Sequence, residues 1–347
     1  MTKLLLVSTF RHLFLGLSLA VNDESDWHVL FIDQKQDENE NNLFLAVREV
    51  GSPFTSVGIL STRQKGESKK DYRKRTFSTL RDCLIELTPS EIITGNDRRL
   101  EFQYSMHFCR HKLNLSILGG YLDDGTGSYR NMYEFKKAAK FSDKYIDTPI
   151  KKIVYGGWYS RPETLGASSW IDRSYLCFPG IALPAIRGEK SQIAPSNYKS
   201  EPLRTIVERY MLLLGEESSF NSIKSVLFVL PHSSIIKELY GSYDALKRVV
   251  EGFIGRYPSA YVKYHPRELG DPLDLNGCAK LLQANIPAEM YLSYLNFVTV
   301  VGDVSTALMS AKWMQPNCDV YFLKNDSEHT DALKWIFQEI GVEEIEL

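Results

Sequence analysis

Apolar runs of strand length alternate with segments of helical period, and they do so in two series separated by a polar stretch. A strand apolar on both faces must be covered on both, and helices between successive strands supply the cover. The pattern therefore demands an α/β fold of parallel sheets wrapped by helices. In the first series, residues 4–8 read as a buried strand and residues 13–21 as an apolar helix after a tight turn at Thr9 and Phe10. Further strands are expected at 27–32, 91–94 and 115–118, the last two followed by Gly-containing turns. In the second series, helical spacing resumes at Leu203, Ile206, Val207, Tyr210, Met211 and Leu214. Strands follow at 225–230, 261–264, 297–302 and 319–323, with helices at 243–254, 306–313 and 332–340.

Residues 187–202, RGEKSQIAPSNYKSEP, lose apolar periodicity and gain Ser, Pro and charge. The expected organisation is a domain over 1–190, a linker at 191–202, a second domain over 203–325, and a closing helix within 326–347 that packs back on the first domain. Two doubly wound, Rossmann-like halves would present the carboxyl ends of both sheets to a shared central cleft, where ligands of such sheets bind.

Composition narrows the partners. With 347 residues, 44% of them hydrophobic, the chain can fill two cores. A net charge of −2 argues against nucleic acid or bulk anionic lipid as the main partner. The basic run at 63–75, RQKGESKKDYRKR, reads either as a solvated helix face or loop, or as a contact for the anionic inner membrane or an acidic glycan. Near such lipid each basic residue adds about 1 kcal/mol. Five scattered cysteines form no CxxC pair, which suits a reducing cytoplasm and no zinc site. The apolar start resembles a signal peptide, but Arg11 and His12 split it and no clean cleavage site follows, so a cytoplasmic location is expected.

Three short motifs carry chemistry. Tyr121-Leu122-Asp123-Asp124-Gly125 places adjacent carboxylates after a strand. One reading is an acidic turn; another is a carboxylate poised as a general base; a third is a metal ligand, although two adjacent Asp make no DxD motif. Lys263-Tyr264-His265-Pro266-Arg267-Glu268 ends a strand, and Pro266 holds His265 extended. It is either a strand-ending turn or a histidine aimed at a phosphate. Gly302-Asp303-Val304-Ser305-Thr306 runs from strand to helix, either as an ordinary N-cap on Asp303 or Ser305, or as a phosphate seat at a helix start. The other histidines, His12, His28, His107, His111 and His329, read as structural or surface residues. His232 reads as either a surface residue or one lining the donor cleft.

In this order YLDDG, YHPRE and VSTAL resemble the motif set of bacterial sialyltransferases, and residues 94–104 are similar to a segment of the polysialyltransferase-like and lipooligosaccharide sialyltransferase group. The resemblance spans roughly residues 90–310. It implies a GT-B fold, inverting transfer from CMP-sialic acid or a related CMP-nonulosonate to a glycan acceptor, and no cofactor or metal. It assigns the base to Asp124, with Asp123 as alternate. His265 becomes the acid, or the hydrogen-bond donor to the CMP phosphate, and Ser305 and Thr306 the phosphate holders. Glu289 would bind the ribose, and Pro266 and Gly302 would lie in the donor site. Acceptor contacts are expected from Thr9, Phe10, Asn96, Asp97 and Gly125, with Arg98 as either a contact or a surface cation and Phe10 as either core or sugar platform. Two other readings stand beside it: a CMP-Kdo transferase or other GT-B nucleotide-sugar enzyme such as an epimerase, and a catalytically silent glycan-binding protein.

Overall fold

The computed structural model describes residues 1–51, 53–131, 137–216, 224–325 and 327–346, and of 137–139 and 329 the backbone only. It forms two compact units, Met1–Tyr210 and Met211–Leu347. The first holds β1 (Thr2–Val7), β2 (Asp26–Phe31), β3 (Ser56–Ile59), β4 (Glu91–Thr94), β5 (Leu118–Leu122), β6 (Arg173–Leu176) and β7 (Glu189–Gln192). All pair in parallel in the order β3-β2-β1-β4-β5-β6-β7. The second holds β8 (Ser225–Val229), β9 (Ser259–Lys263), β10 (Lys280–Leu282), β11 (Phe297–Gly302), β12 (Asp319–Leu323) and β13 (Glu343–Ile345), ordered β10-β9-β8-β11-β12-β13. Both sheets wind outward twice from a central strand. Their order reverses between β1 and β4 and between β8 and β11, which is where such sheets open a crevice at their carboxyl ends.

The sequence accounts for the central elements. Leu4, Leu5, Leu6 and Val7 are all buried, as a middle strand covered on both faces requires. Thr9 caps the helix Phe10–Ala20 by accepting from the His12 amide at 3.3 Å, a bond that contributes about 1 kcal/mol. That helix buries Leu13, Phe14, Leu15 and Leu17, each contributing about 1.5–3 kcal/mol. It begins three residues before the expected start, because Arg11 and His12 are buried in its first turn by partners described below.

Three further expectations need correction. Gly119 and Gly120 lie inside β5 rather than in a turn after it: a Cβ on Gly119 would sit 1.9 Å from the Trp170 carbonyl oxygen, so the strand needs glycine there. The stretch 187–202 is not a free linker. It contains β7, exposed along its length and paired to β6, and the chain passes from one unit to the other within the helix Glu201–Leu213. The closing segment, expected to pack on the first domain, belongs to the second unit. There the helix Glu328–Glu339 sets Phe337 against Phe322 and leads into β13, which pairs with β12. Among the described residues no helix is long and apolar enough to cross a membrane.

Candidate active site

In the first unit the crevice between β1 and β4 gathers Ser8 after β1, Gly95 after β4, and the Asp123–Asp124 pair after β5. The two carboxylates have opposite surroundings. Asp123 is fully buried. It meets Arg11 Nη2 at 2.9 Å and accepts from the amides of Gly125 at 2.7 Å and Cys177 at 2.9 Å, and from the Tyr129 hydroxyl. Its oxygens are occupied, so Asp123 is a scaffold residue and the assignment of an alternate base to it fails. Gly125, buried and at φ +69°, completes that turn by donating its amide to Asp123.

Asp124 faces outward, its side chain 29% exposed, with Oδ1 2.9 Å from His12 Nε2. The far side of that ring, Nδ1, lies 3.1 Å from Ser8 Oγ. Where Asp124 accepts, His12 donates from Nε2, and in the neutral ring Nδ1 then accepts from the Ser8 hydroxyl. His12 is 1% exposed, and its ring rests on Gly95, where a Cβ would fall 2.0 Å from His12 Cδ2. Sequence reasoning set His12 aside as a structural or surface residue. The signal available was its spacing, four residues after Ser8, which puts both on one face of the chain entering the helix.

The expected acceptor contacts separate. Thr9 is exposed, although its hydroxyl caps the helix. Phe10 is half-buried with its ring tilted on Phe14 at 5.7 Å. Asn96 is half-buried and its side-chain oxygen accepts from the Arg98 amide at 3.1 Å. Asp97 is not accessible: it is fully buried and accepts from the Ser168 amide at 2.8 Å, and burial pushes its pKa up to about 6. Arg98 donates to the Pro162 carbonyl and thereby ties the loop to a neighbouring one.

The second unit holds a cavity of about 620 Å³ at the carboxyl ends of β8, β9 and β11. His265, Pro266, Glu289, Ser305 and Thr306 all line it, together with His232. Each histidine accepts a backbone amide at Nδ1: His265 from Arg267 at 3.2 Å, and His232 from Ser234 at 3.1 Å as the cap of the helix Ser233–Tyr240. Each neutral ring therefore carries its hydrogen on Nε2. The rings stand edge to face with centroids 5.5 Å apart. Burial, then the adjacent His232, lowers the His265 pKa below the ordinary imidazole value. Glu268 of the same motif accepts from the Ser233 amide at 2.7 Å and so fastens the His-Pro turn to the helix bearing His232.

The helix Thr306–Met314 starts at the cavity, with Ser305 in the cap position but making no cap bond. Its Oγ is buried and has no hydrogen-bond partner among the described residues. Glu289, in the helix Ala288–Tyr294, accepts from Ser310 Oγ at 3.0 Å, which steers one carboxylate oxygen. Lys263 is buried in the wall, its Nζ donating to the carbonyls of Tyr264 at 2.8 Å and Ala284 at 2.6 Å, and burial pulls its pKa down to about 8. Asp303 also lines the cavity, held by the Val304 backbone amide and by long contacts to Tyr240 at 3.5 Å and Asn325 at 3.4 Å, and burial raises its pKa to about 6. Gly302 is not in the lining. Its Cβ would stand 2.4 Å from the Val229 carbonyl oxygen, so it acts by letting β11 close against β8. Among the described residues no three His, Cys, Asp or Glu side chains converge as a metal site would need. The side chain of His329 lies outside the described residues.

No protein-family model and no curated protein matches the sequence. Solved structures do. UDP-GlcNAc 2-epimerase from Methanocaldococcus jannaschii aligns with a TM-score of 0.55 at 12% identity, over 100% of this chain and 89% of that one. UDP-GlcNAc 2-epimerase from Neisseria meningitidis, bound to UDP-GlcNAc, aligns at 0.51 and 10% identity over 96% and 85%. UGT89C1 from Arabidopsis thaliana, complexed with UDP-L-rhamnose, aligns at 0.51 and 13% identity over 100% and 85%. The chain has the GT-B fold. At such identities the likeness speaks for architecture alone, and one architecture hosts many reactions.

Proposed function

We propose that this GT-B chain is a nucleotide-sugar glycosyltransferase, and specifically a sialyltransferase that moves sialic acid or a related nonulosonic acid from its CMP donor to a glycan hydroxyl. The observation that carries the reading is the second-unit cavity, where His265, Glu289, Ser305 and Thr306 gather at a helix start whose Ser305 hydroxyl is unpartnered. A helix start with an open hydroxyl favours a phosphate. The charges lining the cavity suit a donor with one phosphate charge. Among the described residues Lys263 is the one lysine or arginine in the lining, its ammonium already engaged by two carbonyls, and Glu289 and Asp303 are acidic.

In the reaction, the acceptor oxygen attacks the anomeric carbon as the bond to the CMP phosphate oxygen breaks, and the configuration inverts. Asp124 takes the acceptor proton, while His12 holds its other oxygen through Nε2–H. His265, neutral near pH 7 because its pKa is depressed, donates its Nε2 hydrogen bond to the departing phosphate, and the helix start at Ser305 and Thr306 stabilises the growing charge. Glu289 receives the ribose hydroxyls. No cofactor or metal takes part.

The neighbours described with UDP-GlcNAc and UDP-L-rhamnose favour a second reading, a UDP-sugar epimerase or transferase. Purified protein should be incubated with CMP-nonulosonates, CMP-Kdo or UDP-sugars, each with and without a panel of glycans and with and without EDTA. CMP release that requires both a CMP-nonulosonate and a glycan supports the proposal. Turnover of CMP-Kdo or of a UDP-sugar alone, dependence on metal, or glycan binding with no turnover would each overturn it.

A further inference from the structure

Residues 137–155 run helically through Lys137–Ser142, a wide turn at Asp143–Asp147 and Thr148–Tyr155, and they carry a concentration of exposed apolar side chains. Nearly half of the large apolar residues exposed among the described residues fall between 141 and 154. Phe141 and Tyr145 lie one turn apart with ring centroids at 4.8 Å. Ile146, Ile150, Ile153 and Val154 follow at three- and four-residue steps, Ile153 being 86% and Val154 64% exposed. Such a patch on a soluble face marks an interaction surface.

The charges beside it identify the partner. Val154 and Tyr155 border a groove of about 480 Å³ whose other wall is Lys69, Lys70 and Lys74, from the helix Lys69–Leu87. These lysines belong to the basic run at 63–75. That run is partly neutralised: Arg73 pairs with Glu101, and Arg75 with Glu67 at 2.8 Å. Lys69, Lys70 and Lys74 are exposed and have no carboxylate partner among the described residues, and the same holds for Lys152 in the apolar helix. Lys144 extends over the Tyr145 ring. A rim of unpaired ammonium groups around exposed isoleucines and an aromatic pair fits an anionic phospholipid surface, where the apolar face enters the acyl boundary and the lysines meet phosphates.

We infer that Phe141–Val154 and the lysines at 69, 70 and 74 form a docking surface for anionic phospholipid bilayers. The inference is independent of the donor sugar and needs no substrate to test. The full chain is sedimented with vesicles of phosphatidylcholine alone and of phosphatidylcholine mixed with phosphatidylglycerol, at low and high salt, beside Ile153→Glu/Val154→Glu and Lys69→Glu/Lys70→Glu/Lys74→Glu variants. Circular dichroism confirms that both variants fold. Binding should require phosphatidylglycerol and weaken with salt. It should fall about tenfold or more in the apolar variant and about a hundredfold at low salt in the lysine variant. Wild-type chain that ignores anionic vesicles, or an apolar variant that binds them equally well, would sink the inference. So would a wild-type dimer without vesicle binding that the apolar variant splits, since the patch would then serve a second copy of the chain.

Discussion

The two crevices contrast in how far the protein completes its own polar bonding. In the first unit nearly every group around the acidic pair has a partner: Arg11 and two amides close on Asp123, and Ser8 and His12 line up behind Asp124. In the second unit Ser305 Oγ is buried without a partner among the described residues, and the side-chain contacts of Asp303 to Tyr240 and Asn325 are long. A reactive carboxylate needs a fixed bearing before substrate arrives, whereas a phosphate seat has to keep its donors open. The contrast is what a base and a binding site would each require.

Substitutions can break that contrast. Asp124→Asn should lower kcat by about 10²–10⁴ while leaving the melting temperature unchanged, and a kcat within tenfold of wild type would remove Asp124 from the chemistry. Asp123→Asn should instead strand a buried guanidinium and lose about 3–5 kcal/mol in denaturant unfolding. Gly95→Ala pushes a methyl into the His12 ring and should cost about a hundredfold in kcat at near-constant donor KM; a shift in donor KM alone would contradict a role for His12 in positioning Asp124. Ser305→Ala should raise donor KM about tenfold, yet leave stability equal or slightly better, because the hydroxyl it removes is unsatisfied in the free chain.

The smallest effect is a pH dependence. Asp303 has a folded pKa of about 6 against an ordinary value of 3.8, so the folded state holds the proton more tightly. Its burial penalty is absent below the unfolded value, grows as pH rises towards 6, and is full above it. Asp303→Asn should therefore stabilise the protein by about 1–3 kcal/mol at pH 7.5, a gain that vanishes near pH 3.5. An equal gain at both values would show that the carboxylate is not desolvated.

Much of this was legible in the letters, for reasons that differ by element. Strands apolar on both faces stood out, so Glu91–Thr94, Phe297–Gly302 and Asp319–Leu323 fall where expected. Edge strands carry no such signal: Glu-Lys-Ser-Gln of β7 has no apolar face to read and passed for linker. Gly119 read as a turn because glycine permits turns, yet here it admits the Trp170 carbonyl, a contact about fifty positions along the chain. The lining of the second-unit cavity was largely legible because its motifs sit at strand ends, where a doubly wound sheet gathers them. His12 was not, since its partner Asp124 lies 112 positions away and no local pattern announces the pairing.

The make-up of β7 has a bearing on how the protein behaves at high concentration. An outermost strand offers a row of unmet amides and carbonyls to any passing β-segment, and this one surrounds them with exposed Glu189, Lys190, Ser191 and Gln192. Docking another strand there would strip water from a carboxylate and an ammonium at once, so this margin of the seven-stranded sheet resists growing an eighth member from a neighbouring molecule.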